Sequence, residues 1–310
     1  MTPRPLPARL SGIIPPMVTP LNDQDELDTA GAERLLEHVI AGGVHGVFVL
    51  GTTGEGTSLS SSLRNQYVEL VCEIVSGRVP VLVGVTDTSM SSALQLADQS
   101  FAAGASAVVT AAPYYLPLTQ RDLIEYTEQL ATKLPLPLLL YNMPSCTKTA
   151  FDVATVQTLA DHPNIIGLKD TSGDLDYYAE AATFANQRDD FTLLIGPEEK
   201  LARSIELGGH GGVTGGANMF PSLYVSLYEA AANNDTARAK ELQALVQRIS
   251  DSMYCVSDSG ARVIQGIKCG LAELGICSGV MAQPFRTYGA AEREVIAAAV
   301  KEIEPLVGVA

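Results

Sequence analysis

Short apolar, β-branched runs recur along the chain, at 12–20 (GIIPPMVTP), 44–51 (VHGVFVLG), 79–86, 105–113, 136–144 (LPLLLYNMP), 164–170 (NIIGLKD), 191–196 and 211–216. These runs are continuously apolar rather than alternating, which predicts strands buried on both faces, as in a parallel sheet covered by helices. Between them the spacing turns helical. Leu63, Tyr67, Leu70, Val71 and Ile74 form one stripe, and Thr119 followed by Asp122 reads as a capping box before Leu123, Tyr126 and Leu130. Eight strand-then-helix units predict an α/β fold, a (β/α)8 TIM barrel. The competing open sheet lacks support, since no G-x-G-x-x-G follows the first run and no G-x-x-x-x-G-K-[ST] occurs.

Beyond Phe220 the strand signal stops. Leu242, Leu245, Val246, Ile249 and Met253, a segment near 260–274, and Ile296, Val300 and Ile303 carry helical spacing instead. The expected organisation is a catalytic barrel over 1–232 and a C-terminal helical extension over 233–310 packed on it.

Composition narrows the function. With 46% hydrophobic and 18% charged residues among 310, the chain suits a well-buried globule. A net charge of −15 would repel a phosphate backbone, so nucleic acid is not an expected partner. No stretch reaches the ~18 apolar residues of a membrane span, and prolines break up the N-terminus, so no membrane is expected and the location is expected to be cytoplasmic. Five cysteines without a C-x-x-C pair indicate no disulfide framework, and four scattered histidines give no metal-ligand spacing.

Barrels of this kind carry their active sites at the C-terminal ends of the strands. Polar residues ending the apolar runs are therefore the candidates: GTTGEG (51–56), Pro113-Tyr114-Tyr115, Tyr141-Asn142 and Lys169. Period-two alternation places Ile165, Gly167 and Lys169 on one face of the sixth strand, with the absent Gly167 side chain leaving room beneath the lysine stem. An ordinary lysine, with a pKa of about 10.4, is neutral in only about one copy in a few thousand at pH 7. Enclosure in an apolar interior lowers that pKa and makes the amine a nucleophile toward ketones. The alternative is a lysine reaching to the rim or pairing with Asp170. Likewise Tyr141 reads either as a proton shuttle or as a hydrogen-bonded core tyrosine. GTTGEG reads either as a carboxylate seat of hydroxyls and N–H groups at the start of the next helix, or as a tight capped turn.

The segments GTTGEG, PYY, YNMPS and GLKDTSGD, in that order at successive strand exits, resemble the pyruvate-dependent Schiff-base lyases. These are the dihydrodipicolinate synthase and N-acetylneuraminate lyase family, which includes the 2-keto-3-deoxy sugar-acid aldolases. The resemblance implies Lys169 as the Schiff-base lysine, so that a covalent imine with the 2-oxo acid takes the place of any cofactor. It implies Tyr141 as proton donor and acceptor, Thr53 with Thr52 as the carboxylate seat, and the Val213 carbonyl against the keto acid, near Gly196. It also implies that Tyr115 enters a neighbouring subunit's site to join Thr52 and Tyr141, in a homotetramer built as a dimer of dimers. The implied partners are pyruvate or another 2-oxo acid plus an aldehyde.

Two departures bear on the aldehyde. Where the synthase carries an arginine that grips the carboxylate of aspartate semialdehyde, this chain has Cys146, and a thiol offers no bidentate cationic fork. Lys148 could substitute only from a rebuilt loop. After the seventh run, Glu198 and Glu199 stand where the neuraminate lyase has acids that bind a polyol tail. They equally suit a helix N-terminus. The leading expectation is a lyase or aldolase of a 2-oxo acid, of the 3-deoxy sugar-acid type, with dihydrodipicolinate synthase second. A phosphate seat at Gly208–Gly212 and Gly215-Gly216 and a non-catalytic keto-acid binder are the readings from other classes.

Overall fold

The structure, a computed structural model, describes residue 6 and residues 9–307. All eight apolar runs become strands: β1 (Gly12–Ile13), β2 (Val47–Val49), β3 (Val81–Gly84), β4 (Ala107–Ala111), β5 (Leu138–Asn142), β6 (Ile165–Asp170), β7 (Thr192–Ile195) and β8 (Gly211–Gly212). They pair in parallel in the order β1-β8-β7-β6-β5-β4-β3-β2. A bridge between Pro16 and Phe48 closes the circle, with Met17 N–H donating to the Phe48 carbonyl at 2.8 Å. The first run yields only two ladder residues because Pro15 and Pro16 have no N–H to donate.

Both faces of the strands are buried. Inside the barrel Phe48, Leu82, Val109, Leu139, Tyr141, Leu194 and Val213 pack together. On the outer face Val47, Val49, Val83, Leu138, Leu140, Leu168 and Ile195 pack against the helices. The continuous apolar runs are thus two interleaved period-two faces.

One expectation about β6 is corrected. Leu138 pairs with Ile165 but Leu139 pairs with Gly167, so Ile166 is an extra, bulged residue. The bulge flips the faces: Ile165 and Leu168 pack outward, while Ile166 joins the inner cluster. Ile165 and Lys169 therefore do not share a face, although Lys169 does point inward. Gly167 serves a close approach rather than a hollow under the lysine, since a Cβ there would lie 2.3 Å from the Thr192 carbonyl oxygen of β7.

The helix Ser61–Val75 buries Tyr67, Val68, Val71, Cys72 and Val75, with Leu63, Leu70 and Ile74 at the margin, so its stripe is turned by about one residue from the expected one. The capping box on Gln120–Lys133 is present in both directions. GTTGEG does not run straight into a helix: a 3-10 turn, Gly56–Ser58, and two further residues precede Ser61.

Past the helix Pro221–Ala232 the chain forms Thr236–Met253, Arg262–Glu273 and Ala290–Val307. Leu242, Val246, Ile249, Ile267, Ile296, Val300 and Ile303 join the same core as the barrel helices. Among the described residues no helix is long and apolar enough to cross a membrane.

Candidate active site

The β5–β6 register sets Tyr141 beside Lys169 and Asn142 beside Asp170 at the strands' C-terminal ends. Lys169 is 4% exposed and forms no ion pair among the described residues. Its Nζ lies 3.9 Å from the Tyr141 ring centroid and 5.0 Å from that of Phe48. Burial drops its pKa from 10.5 to about 7. Pairing with Asp170 is ruled out by the pleat, because Asp170 faces away from the barrel interior. Its carboxylate accepts from Asn142 Nδ2 at 2.8 Å, Ser172 N–H at 3.1 Å and Ser172 Oγ at 2.9 Å. Asn142 Oδ1 in turn accepts from the Phe151 N–H at 3.1 Å, which ties down the loop after β5.

Tyr141 is buried, and burial pushes its phenol up to about 12, so it holds its proton at neutral pH. Its hydroxyl is 3.2 Å from Thr52 Oγ1. Thr52 and Thr53 lie in the turn after β2, and their backbone N–H groups find no acceptor among the described residues. Glycines set the approach: a Cβ on Gly196 would lie 2.1 Å from Thr171 Oγ1.

A cavity of about 410 Å³ brings together Lys169, Tyr141, Thr52, Thr53, Val213, Gly196, Glu198, Glu199 and Cys146. A more apolar lobe of about 280 Å³ shares Thr52, Tyr141 and Cys146 with it and adds Phe48, Tyr114 and Phe285. Of the expected residues only Tyr115 stays outside, 77% exposed on the loop after β4. Sequence reasoning missed Tyr254, Ile264 and Phe285, which reach the cavity from beyond the barrel strands. They end no apolar run, so no local signal marks them.

The two acids differ in their surroundings. Glu198 is buried, and its oxygens accept from the Tyr224 hydroxyl at 2.6 Å, the Tyr254 hydroxyl at 2.9 Å and the Gly216 N–H at 2.8 Å. Burial raises its pKa from 4.5 to about 7. Its carboxyl is committed to the fold, whereas Glu199, half-buried, accepts from Ser250 Oγ at 2.6 Å. Cys146 stands exposed on the short helix Pro144–Thr147. Lys148 lines neither lobe, so Lys169 is the one Lys or Arg among the described residues lining the cavity. The glycine-rich alternative is split by the fold: Gly208 to His210 precede β8, at the opposite end of the barrel from Lys169, whereas Gly215 lines the cavity and the Gly216 N–H already serves Glu198.

A buried lysine with no ion pair among the described residues, beside a tyrosine–threonine hydrogen bond at the mouth of a (β/α)8 barrel, is an arrangement that suits a class I aldolase or lyase, an enzyme that works through a lysine amine. The chain belongs to the Dihydrodipicolinate synthetase family, whose sequence model matches residues 9–303. It is 36% identical over 239 residues to the "Probable 2-dehydro-3-deoxy-D-pentonate aldolase YjhH" of Escherichia coli K12, with 76% of this chain and 78% of that one covered. A solved dihydrodipicolinate synthase from Bacteroides thetaiotaomicron is 50% identical with a TM-score of 0.92, covering 94% of this chain and 98% of that one. YagE of Escherichia coli K12, solved in complex with pyruvate, is 30% identical with a TM-score of 0.89, covering 95% and 98%.

Proposed function

We propose that the enzyme makes or breaks a carbon–carbon bond between pyruvate, held as an imine on Lys169, and an aldehyde with an uncharged, hydroxylated tail. The observation that carries the proposal is the enclosed Lys169 amine with no counter-ion, lowered to about pKa 7 by burial.

The amine nitrogen attacks the keto carbon, water leaves, and the iminium nitrogen keeps one proton. The iminium draws electrons from the adjacent methyl carbon, which loses a proton to become an enamine. That carbon then adds to the aldehyde carbon, whose oxygen takes a proton, and water adds to the re-formed iminium carbon so that the C–N bond breaks and releases the 2-oxo acid and the free lysine amine; cleavage runs the same steps backward. Tyr141, protonated and within hydrogen-bond reach of Thr52, suits the carrying of those protons. The free N–H groups of Thr52 and Thr53 suit the pyruvate carboxylate. The imine itself is the electron sink, so the reading calls for no cofactor. YagE was solved with pyruvate bound, which agrees with this choice of keto acid.

The aldehyde is inferred from charge. A second substrate bearing its own carboxylate would meet Glu199 and the Cys146 thiol in a cavity whose one lining cation among the described residues is engaged with the keto acid. Sugar hydroxyls meet no such penalty. Condensation with aspartate semialdehyde, the dihydrodipicolinate synthase reaction, is the second reading, favoured by the 50% identity to the Bacteroides synthase. The five free cysteines suit a reducing, cytoplasmic location. Tyr115 and Leu116, both exposed, suit a contact with a second copy within a homotetramer. A panel of aldehydes with pyruvate tests the proposal: hydroxylated aldehydes should turn over fastest. Turnover of aspartate semialdehyde far above every sugar aldehyde would reverse the order of the two readings.

A further inference from the structure

The turn that carries Thr52 and Thr53 is held from two sides. On the barrel side, Thr19 Oγ1 donates to the Gly54 carbonyl at 2.7 Å, and a Cβ on Gly56 would lie 2.2 Å from the Leu50 carbonyl oxygen, so the turn presses against its own strand. Its internal bonds run from Glu55 N–H to the Thr52 carbonyl at 3.0 Å and from Gly56 N–H to the Gly51 carbonyl at 3.2 Å.

On the other side stands Glu55. Its φ of 55° is left-handed, a conformation that favours glycine, yet the chain places a long acidic side chain there between two glycines. The side chain is buried and reaches into the C-terminal helices. Glu55 Oε1 pairs with Lys268 Nζ, both side chains being almost fully enclosed, and Glu55 Oε2 accepts from the Ala282 N–H at 2.7 Å. Lys268 Nζ also donates to the Val280 carbonyl at 2.7 Å. One carboxylate thus ties the catalytic turn to the helix Arg262–Glu273 and to the segment after it. That same part of the chain supplies Ala261, Ile264 and Phe285 to the cavity wall.

A buried ion pair is a poor device for stability alone, because packed apolar side chains of the same volume serve as well or better. In some proteins such a buried polar pair instead fixes one geometry. We propose that Glu55 and Lys268 are positioning residues through which the C-terminal helices hold Thr52 and Thr53 in register with Tyr141 and Lys169. Neither touches the reacting atoms. The inference rests on the keto-acid seat proposed above.

The test uses the full-length enzyme and three variants: Glu55→Gln, Lys268→Met and the double variant Glu55→Gln/Lys268→Met. The double variant buries no unpaired charge and is expected to stay within a few degrees of the parent in Tm, as a rough guide. It should nonetheless show a pyruvate KM raised about tenfold or more, by the size typical of lost support to a binding group. Borohydride-trapped adduct should form correspondingly more slowly, and amide exchange in the 51–58 turn should be faster while the other strand ends are unchanged. Equal exchange in that turn, or a pyruvate KM and trapping rate matching the parent, overturns the inference. Should the double variant not fold, Glu55→Gln is read against the same criteria. A parent that traps no pyruvate defeats the reaction proposed above instead, and the exchange measurement still decides the clamp.

Discussion

At Lys169 two tendencies compete: an ammonium seeks water, and the fold offers it two aromatic rings and no carboxylate. Burial wins, and the amine is neutral in a large fraction of molecules near pH 7. Adduct formation with pyruvate should therefore rise with pH through about 7 and then level, since Tyr141 keeps its proton until about 12. A rate that is flat from pH 5.5 to 9 would contradict the assignment. Stability follows the same linkage. Between about 7 and 10.5 the unfolded chain holds a proton on this lysine that the folded chain has released, so this group makes stability rise with pH across that window. Lys169→Met should abolish turnover yet raise stability near pH 7, by up to about 4 kcal/mol for a shift from 10.5 to about 7, an effect that shrinks toward pH 10; urea unfolding at the two pH values measures it. Glu198 runs the other way: its folded pKa of about 7 exceeds the ordinary 4.5, so it contributes stability below 4.5 that is lost as pH rises through about 7. At the cavity mouth, Cys146→Arg supplies the missing cationic fork. It should raise kcat/KM for aspartate semialdehyde relative to sugar aldehydes by tenfold or more, about 1.4 kcal/mol or above.

At the scale of elements, what the sequence shows is periodicity, and what it hides is register. The eight apolar runs declare their strands because each is buried on both sides. The bulge at Ile166 leaves no trace in them, since Ile165, Ile166 and Leu168 are alike in hydrophobicity and only the pairing to β5 tells them apart. The short β1 is different: Pro15 and Pro16 announce that the ladder must end there. Gly167 marks the point where the register matters most. Gly167→Ala would push a methyl against the Thr192 carbonyl, costing about 1–3 kcal/mol and displacing the strand end that carries Lys169. Its trapping rate should fall together with its Tm. Thr119→Ala, far from the site, removes one half of a capping box and should cost about 1 kcal/mol while leaving the trapping rate alone. If both variants affect trapping equally, the register argument at Gly167 is wrong.

For the whole molecule, the barrel and the order of its strand-end motifs were legible, and so was the group of Lys169, Tyr141, Thr52 and Thr53 that they bring together. The part contributed by the helices after residue 233 was not. Glu55 and Lys268 look like ordinary surface charges until the fold encloses them, and Tyr254 carries no local mark of its place in the cavity. Glu198 shows the opposite limit: its acidity was visible, but the tyrosines that occupy its carboxylate come from Pro221–Ala232 and from the end of Thr236–Met253. Tyr115, 77% exposed, belongs to the contact between copies proposed above. Tyr115→Ala should lower turnover and shift sedimentation toward a species of 32.7 kDa, whereas a parent already of that mass would remove the proposed contact.

The most direct measurement is reduction with borohydride in the presence of pyruvate, followed by peptide mapping. The predicted result is one reduced pyruvyl group per chain, carried on Lys169 and absent from Lys169→Met. Unmodified protein, or an adduct carried on a different lysine, would contradict the claim that this buried amine does the chemistry.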